Sequence, residues 1–121
     1  MIQERAILKV ADNSGAKTVR CFRVPGGSKR RYARIGDIII ASVQAAEPRK
    51  QVKKKDIVHA LVVRQRAPMR RSDGSHVRFD DNAVVLVDKG EPRGTRIFGP
   101  IPREIKEKGY ETIASLAEEL V

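Results

Sequence analysis

With 121 residues, one cysteine, no tryptophan and apolar material drawn mostly from Leu, Ile and Val, the chain suits one β-rich domain around a modest aliphatic core. A lone thiol excludes an internal disulfide and a Cys-based metal site, and no run approaches the ~20 apolar residues of a membrane span. The 25 Lys and Arg against 15 Asp and Glu give a net charge of +10; the excess lies between Lys17 and Arg71, where 16 basic and 3 acidic residues net +13 while the flanks together net −3, as expected where one face meets a polyanion.

The start Met1-Ile2-Gln3-Glu4-Arg5 lacks the basic flank and apolar stretch of a signal peptide, so a soluble, cytoplasmic protein is expected. Ala6–Ala11 reads as a short strand closed by the turn formers Asp12-Asn13-Ser14-Gly15, and Lys17–Val24 as its return. Cys21 falls within that return strand and reads as a small buried hydrophobe. Pro25-Gly26-Gly27-Ser28 breaks the strand before the basic cluster from Lys29 to Arg34. Gly36-Asp37 opens Ile38–Ala45, whose continuous apolar start predicts a strand buried on both faces. A basic loop from Pro48 to Lys55 follows, and then the strand Ile57–Arg66, with exposed charges expected only at its far end.

Arg70–Phe79 has Asp73-Gly74 at its centre, which predicts a two-stranded ribbon tipped with arginines and turning through a type I′ geometry. Ala83–Asp88 is a further strand. The tail changes period: Pro102–Lys108 and Glu111–Leu120 suit short helices, with Ile113, Leu116, Ala117 and Leu120 on one helical face and Gly109 between the two. Strands at short spacing before one helical pair predict a mainly β fold, a small barrel over about residues 1–100 with a helical region over about 101–121, in one domain spanning 1–121.

Little in the sequence suggests catalysis, and no catalytic residue, metal or cofactor is expected. His59 and His76 lack metal-ligand spacing, Gly26-Gly27-Ser28-Lys29 lacks the context of a P-loop, and Asp80-Asp81-Asn82 reads as a turn before a strand. Basic clusters are the positive signal. Lys29-Arg30-Arg31, Arg49-Lys50, Lys53-Lys54-Lys55, Arg64, Arg66 and Arg70-Arg71 all fall in loops or at strand ends, where a small barrel would project them to one rim. A single cluster would be no more than a solvated surface; four in one half of the chain point to nucleic acid. Only Tyr32 sits inside a basic cluster as a stacking ring and no recognition-helix motif is present, a balance that favours folded RNA read by shape. Membrane-surface binding is disfavoured, because the clear helical tail is acidic.

Met1-Ile2-Gln3, Val10–Ala16, Gly26-Gly27-Ser28 with Arg30-Arg31-Tyr32-Ala33, Gly36-Asp37, Ala60–Arg64, Asp73-Gly74, Arg78–Ala83 and Gly94–Pro100 stand in one collinear order. In these motifs the chain resembles the large-subunit ribosomal protein family usually numbered fourteen, in its bacterial or organellar form. The resemblance implies a five-stranded β-barrel with a protruding ribbon and short C-terminal helices. It also implies a structural, non-enzymatic role on large-subunit rRNA, contact with small-subunit rRNA at an intersubunit bridge, and large-subunit proteins three and nineteen as neighbours. A ribosome-silencing factor would meet a C-terminal surface that here includes Thr95, Arg96, Phe98, Lys108 and Ser115. The residues expected on rRNA are Lys17, Lys29, Arg30, Arg31, Tyr32, Arg34, Arg49, Lys50, Lys53, Lys54, Lys55, Arg64, Arg66, Arg70, Arg71 and Arg78. The chain departs from the family at Glu118, where a proline is usual, so the last helix is expected to run on, and the Arg49–Lys55 loop is more basic than is common. A free nucleic-acid-binding factor or RNA chaperone on a similar barrel is the alternative.

Overall fold

The computed structural model describes residues 2–26, 32–50 and 52–121. The expected contacts Lys29, Arg30 and Arg31, together with Met1, Gly27, Ser28 and Gln51, lie outside the described residues. Five strands form the barrel: β1 (Ile7–Val10), β2 (Ala16–Arg23), β3 (Ile38–Ala46), β4 (Ile57–Arg64) and, after a ribbon of β5 (Met69–Arg70) and β6 (His76–Val77), β7 (Ala83–Asp88). Neighbours pair antiparallel from β1 through β2, β3 and β4 to β7, and β7 closes on β1 in parallel at Lys9–Ala83 and Val10–Val84. An odd number of strands cannot close with every pair antiparallel, and the one parallel seam is how this barrel meets that constraint.

Alternation supplies the core. Leu8, Val10, Val19, Cys21, Ile39, Ala41, Val43, Val58 and Ala60 point inward, and full burial of a side chain the size of Val or Leu contributes about 1.5–3 kcal/mol. The strands buried on both faces are β7, in which Ala83–Val87 are all buried, and the second half of β4, Ala60–Arg64; β3 alternates, with Ile38, Ile40 and Ser42 half-buried on the outer side. The continuous Ile38-Ile39-Ile40 run therefore lies on a one-sided strand, contrary to its sequence reading. An apolar outer row on a strand is compatible with a face left partly open.

After β8 (Glu91–Pro92), β9 (Ile97–Ile101) returns along the start of the chain: Asp12 bridges Ile97, and the Phe98 amide donates to Ala11 O at 2.6 Å. Two short helices follow, α1 (Glu104–Glu107) and α2 (Glu111–Leu116), with Ile105 and Ile113 buried and α2 lying against β8 and β9. The second helix ends earlier than its period predicts. At Ala117 the backbone turns extended (ψ 145°), and β10 (Ala117–Leu120) pairs parallel with β9. Of the apolar positions that suggest a longer helix, Ile113 is buried and Leu120 is exposed. The open edge of β9 offers Ala117–Leu120 backbone partners that another helical turn would not have, and Glu118 caps that edge by accepting the Gly99 amide at 3.1 Å.

The ribbon also differs in detail. Arg71 O accepts the Gly74 amide, the Arg71 amide donates to Ser75 O, and within the loop only Gly74 has a positive φ (+89°). That is a three-residue turn with the glycine in the left-handed position, which Asp73 can enter without the strained φ that a type I′ turn would impose. The Ser75 amide and hydroxyl bond the Asp73 carboxylate at 3.0 and 2.6 Å and hold it below the usual carboxylate range.

Candidate nucleic-acid interface

Strand direction decides where each basic cluster goes. The β1–β2 turn and the β3–β4 loop leave one end of the barrel, whereas the β2–β3 and β4–β7 connections leave the other. The cations therefore occupy two opposite ends, and not the single rim that the sequence suggests.

At the first end, Arg49, Lys50, Lys53, Lys54 and Lys55 are all exposed. Their loop is nevertheless well anchored. Val52 is 1% exposed beneath it, the Lys55 amide donates to Val43 O at 2.8 Å, the Val43 amide to Asp56 O at 2.9 Å, and the Lys53 amide to the Asp56 carboxylate at 3.0 Å. Arg49 and Lys55 take left-handed φ values of 65° and 73°, which reverse the chain at both sides of the loop. Among the described residues none of these five side chains has a hydrogen-bond or ion-pair partner, so their charge is directed to solvent. Lys17 is exposed on β2, next to Ala16, which pairs with Ala46 at the base of this loop.

At the second end, Tyr32, Arg34, Arg66, Arg70 and Arg78 are exposed. Arg66 is steered by its own bond to Asp80 O at 2.9 Å. A cavity of about 500 Å³ opens between this end and the tail, lined by Tyr32, Arg34, Ile35, Asp37, Met69, Glu104 and Lys108. Its mixture of two acids and two bases gives it no single sign, and among the described residues no group of three or more His, Cys, Asp or Glu could hold a metal ion.

Two expected contacts are turned inward. Arg64 is 5% exposed, with Nε 2.9 Å from Asp81 Oδ1 and Nη1 donating to Phe98 O at 2.9 Å and Pro100 O at 3.2 Å. It joins the barrel to β9, which corrects its reading as an exposed strand-end charge. Gly99 sits so close that a Cβ there would collide with the Arg64 guanidinium. Arg71 faces Glu104 Oε1 at 2.6 Å as an ion pair, and its Nη2 donates to Glu104 Oε2 at 3.2 Å and Val121 O at 2.6 Å, which ties the ribbon to the tail. Asp81, half of the aspartate pair, is thus a structural partner of Arg64.

The residues expected to face proteins are also divided. Asn13 organises Thr95 and Arg96: its Oδ1 accepts their amides at 2.8 and 3.1 Å, and its Nδ2 donates to Thr95 Oγ1 at 2.8 Å. Ser115 is exposed near the end of α2, close in sequence to the Ala117–Ile97 pairing, and Phe98 is exposed on β9. Lys108 instead reaches the opposite end, 3.9 Å from Asp37 and bonded to Ile35 O at 3.4 Å. Below Asn13, the buried Asp12 accepts the Ser14 hydroxyl at 2.6 Å, the Ser14 amide at 3.1 Å and the Leu86 amide at 3.0 Å, so the turn is fixed to β7.

Several exposed cations fall outside the clusters on which the sequence reading rests, notably Lys9, Arg20, Arg23 and Arg93. Strand alternation is the signal that places Lys9 and Arg20 outward; Arg23 follows Phe22 outward through the register shift after Cys21, which alternation does not encode. The model of the family described as ribosomal protein L14p/L23e matches residues 1–121, the whole chain.

Proposed function

Since the chain belongs to the ribosomal protein L14p/L23e family, a ribosomal family of the large subunit with a structural role, we propose that it binds large-subunit rRNA through cations at both ends of its barrel. The observation that carries this reading is the Arg49–Lys55 loop, whose backbone is fixed by Val52 and Asp56 while its cationic side chains have no described partner. A loop whose backbone is already fixed loses little backbone freedom when its cations meet phosphates. Lys17, Tyr32, Arg34, Arg66, Arg70 and Arg78 extend the contact, as do Lys29, Arg30 and Arg31; Arg64 and Arg71 brace the fold.

The finer partners follow the same reading: large-subunit proteins three and nineteen, small-subunit rRNA at a bridge, and a ribosome-silencing factor at the Thr95–Arg96 segment and Ser115. The cytoplasmic or organellar ribosome would be its location. Contact with about 6–10 phosphates gives a slope of log affinity against log salt of roughly −4 to −9. Binding of isolated rRNA across a salt series, with sedimentation of native large subunits through a high-salt gradient, tests both parts. A salt-independent affinity counts against phosphate contact. A chain that washes off the subunit is a dissociable factor and no integral constituent.

A further inference from the structure

Apart from Lys17 near one end of β2, the outer wall of β1–β4 takes no part in the proposed RNA contacts, yet it carries the two most exposed large hydrophobic side chains of the described residues, Ile57 at 69% and Ile7 at 58%, with Phe22 at 44%. Register sets Ile7 and Ile57 at the two ends of one row, with Arg20 and Ser42 between them. Ile7 pairs with Arg20, Arg20 with Ser42 and Ser42 with Ile57, so one row crosses four strands; Arg23, Ile40 and His59 form the next. Lys9 lies beside Thr18 at the rim, and Gln44 holds the Ser42 hydroxyl at 2.9 Å. No Asp or Glu lies within these strands; the acids that flank them are Glu4 before β1, Asp37 and Glu47 on either side of β3, and Asp56 before β4, the last occupied by the Lys53 amide.

We infer that this wall is a docking surface for a protein partner that brings apolar side chains to Ile7, Phe22 and Ile57 and carboxylates to Lys9, Arg20 and Arg23. The inference rests on the ribosomal reading above and names a face which that reading does not use. Aliphatic side chains have no π face on which a base could stack, and they gain nothing from phosphates, so an RNA helix would leave Ile7 and Ile57 without a matching surface. A protein interface has the composition seen here, exposed apolar side chains set among arginines. The charged side chains within the wall, Lys9, Arg20 and Arg23, are all positive, and that sign selects an acidic partner by charge complementarity.

The test places a photo-crosslinking residue on the wall, Ile57→benzoylphenylalanine or Phe22→benzoylphenylalanine, in chains assembled into large subunits. The expected adduct is destroyed by protease and resists ribonuclease, and its joined peptide carries Asp or Glu beside apolar residues. Adding Arg20→Glu lowers the adduct yield about tenfold. An adduct to RNA, an adduct to a second copy of this chain, or no adduct from either position overturns the inference. Should either ring block assembly, Lys9→benzoylphenylalanine at the rim gives the same readout. Incorporation of the unmodified chain is scored in the same gradients; its failure overturns the ribosomal reading, and this inference with it.

Discussion

Arg64 and the Arg49–Lys55 loop carry the same kind of charge to opposite ends. The guanidinium of Arg64 is enclosed by Asp81 and two carbonyls of β9, whereas the loop cations have no described partner at all. The difference shows that a basic residue in a strongly basic chain is assigned by its neighbours and not by its cluster. Arg64 meets a ready-made set of acceptors because β9 returns across its strand end. Among the described residues the loop cations meet no acceptor.

The largest effect should come from Arg64→Met, which keeps the bulk and removes the charge. Asp81 and the Phe98 and Pro100 carbonyls lose their donor in a place where water enters poorly, a change that costs about 3 kcal/mol. Urea unfolding measures it. Asp81→Asn should cost less, because Asp81 is a third exposed and water can replace it. Equal and small losses from both variants would place Arg64 among the surface cations after all.

The other half of the comparison is sharpened by Lys53→Ala, Lys54→Ala and Lys55→Ala combined. Stability should change by less than about 0.5 kcal/mol for each substitution, since none of the three side chains has a described partner. The salt slope for rRNA should become shallower by about 2–3. An unchanged slope would move the RNA contact to the other end of the barrel, where Arg34, Arg70 and Arg78 are the residues to replace next.

How much of this was legible in the sequence depends on range. Alternation placed the barrel strands, and the break at Gly109 separated the two helices, because both signals are local. The division of the cations between two ends needed strand direction. The inward turn of Arg64 needed the return of β9, some 34 residues later in the chain. The end of α2 at Leu116 was set by the free edge of β9, which no helical period encodes. Asp73-Gly74 marks where the ribbon turns but not its geometry, since a glycine in the left-handed position serves both turn types. Asn13 was read as a turn former; its three bonds to Thr95 and Arg96 span more than eighty positions.

That latch gives a smaller, local prediction. Asn13→Ala should cost about 1 kcal/mol and raise amide exchange at Thr95 and Arg96 before the rest of the barrel is affected. Arg64→Met should release Phe98 and Pro100 while leaving Asn13 in place. Exchange that rises together across residues 95–100 in both variants would make the segment one cooperative unit, and the contrast between its two supports would disappear.

The smallest effect lies in the barrel interior, where no charge is tolerated. Burial pushes the Cys21 thiol above its ordinary range, a backbone hydrogen bond at Arg23 opposes that shift, and the charge of Glu4 adds to it. A thiol with a raised folded-state value stabilises the fold fully below its unfolded value, near about 8.5, and that contribution fades as pH rises from there through the folded value. Relative to Cys21→Ala, whose own packing loss does not depend on pH, the native chain should therefore lose part of its advantage as pH rises above about 8.5. Urea midpoints across that window measure the difference, with alkylation of the folded chain slower than that of the unfolded chain at every pH. A difference that stayed flat would mean that the thiolate reaches water through the wall between β2 and β3, and the interior would then be more open than the packing of Val19, Cys21 and Ala41 implies.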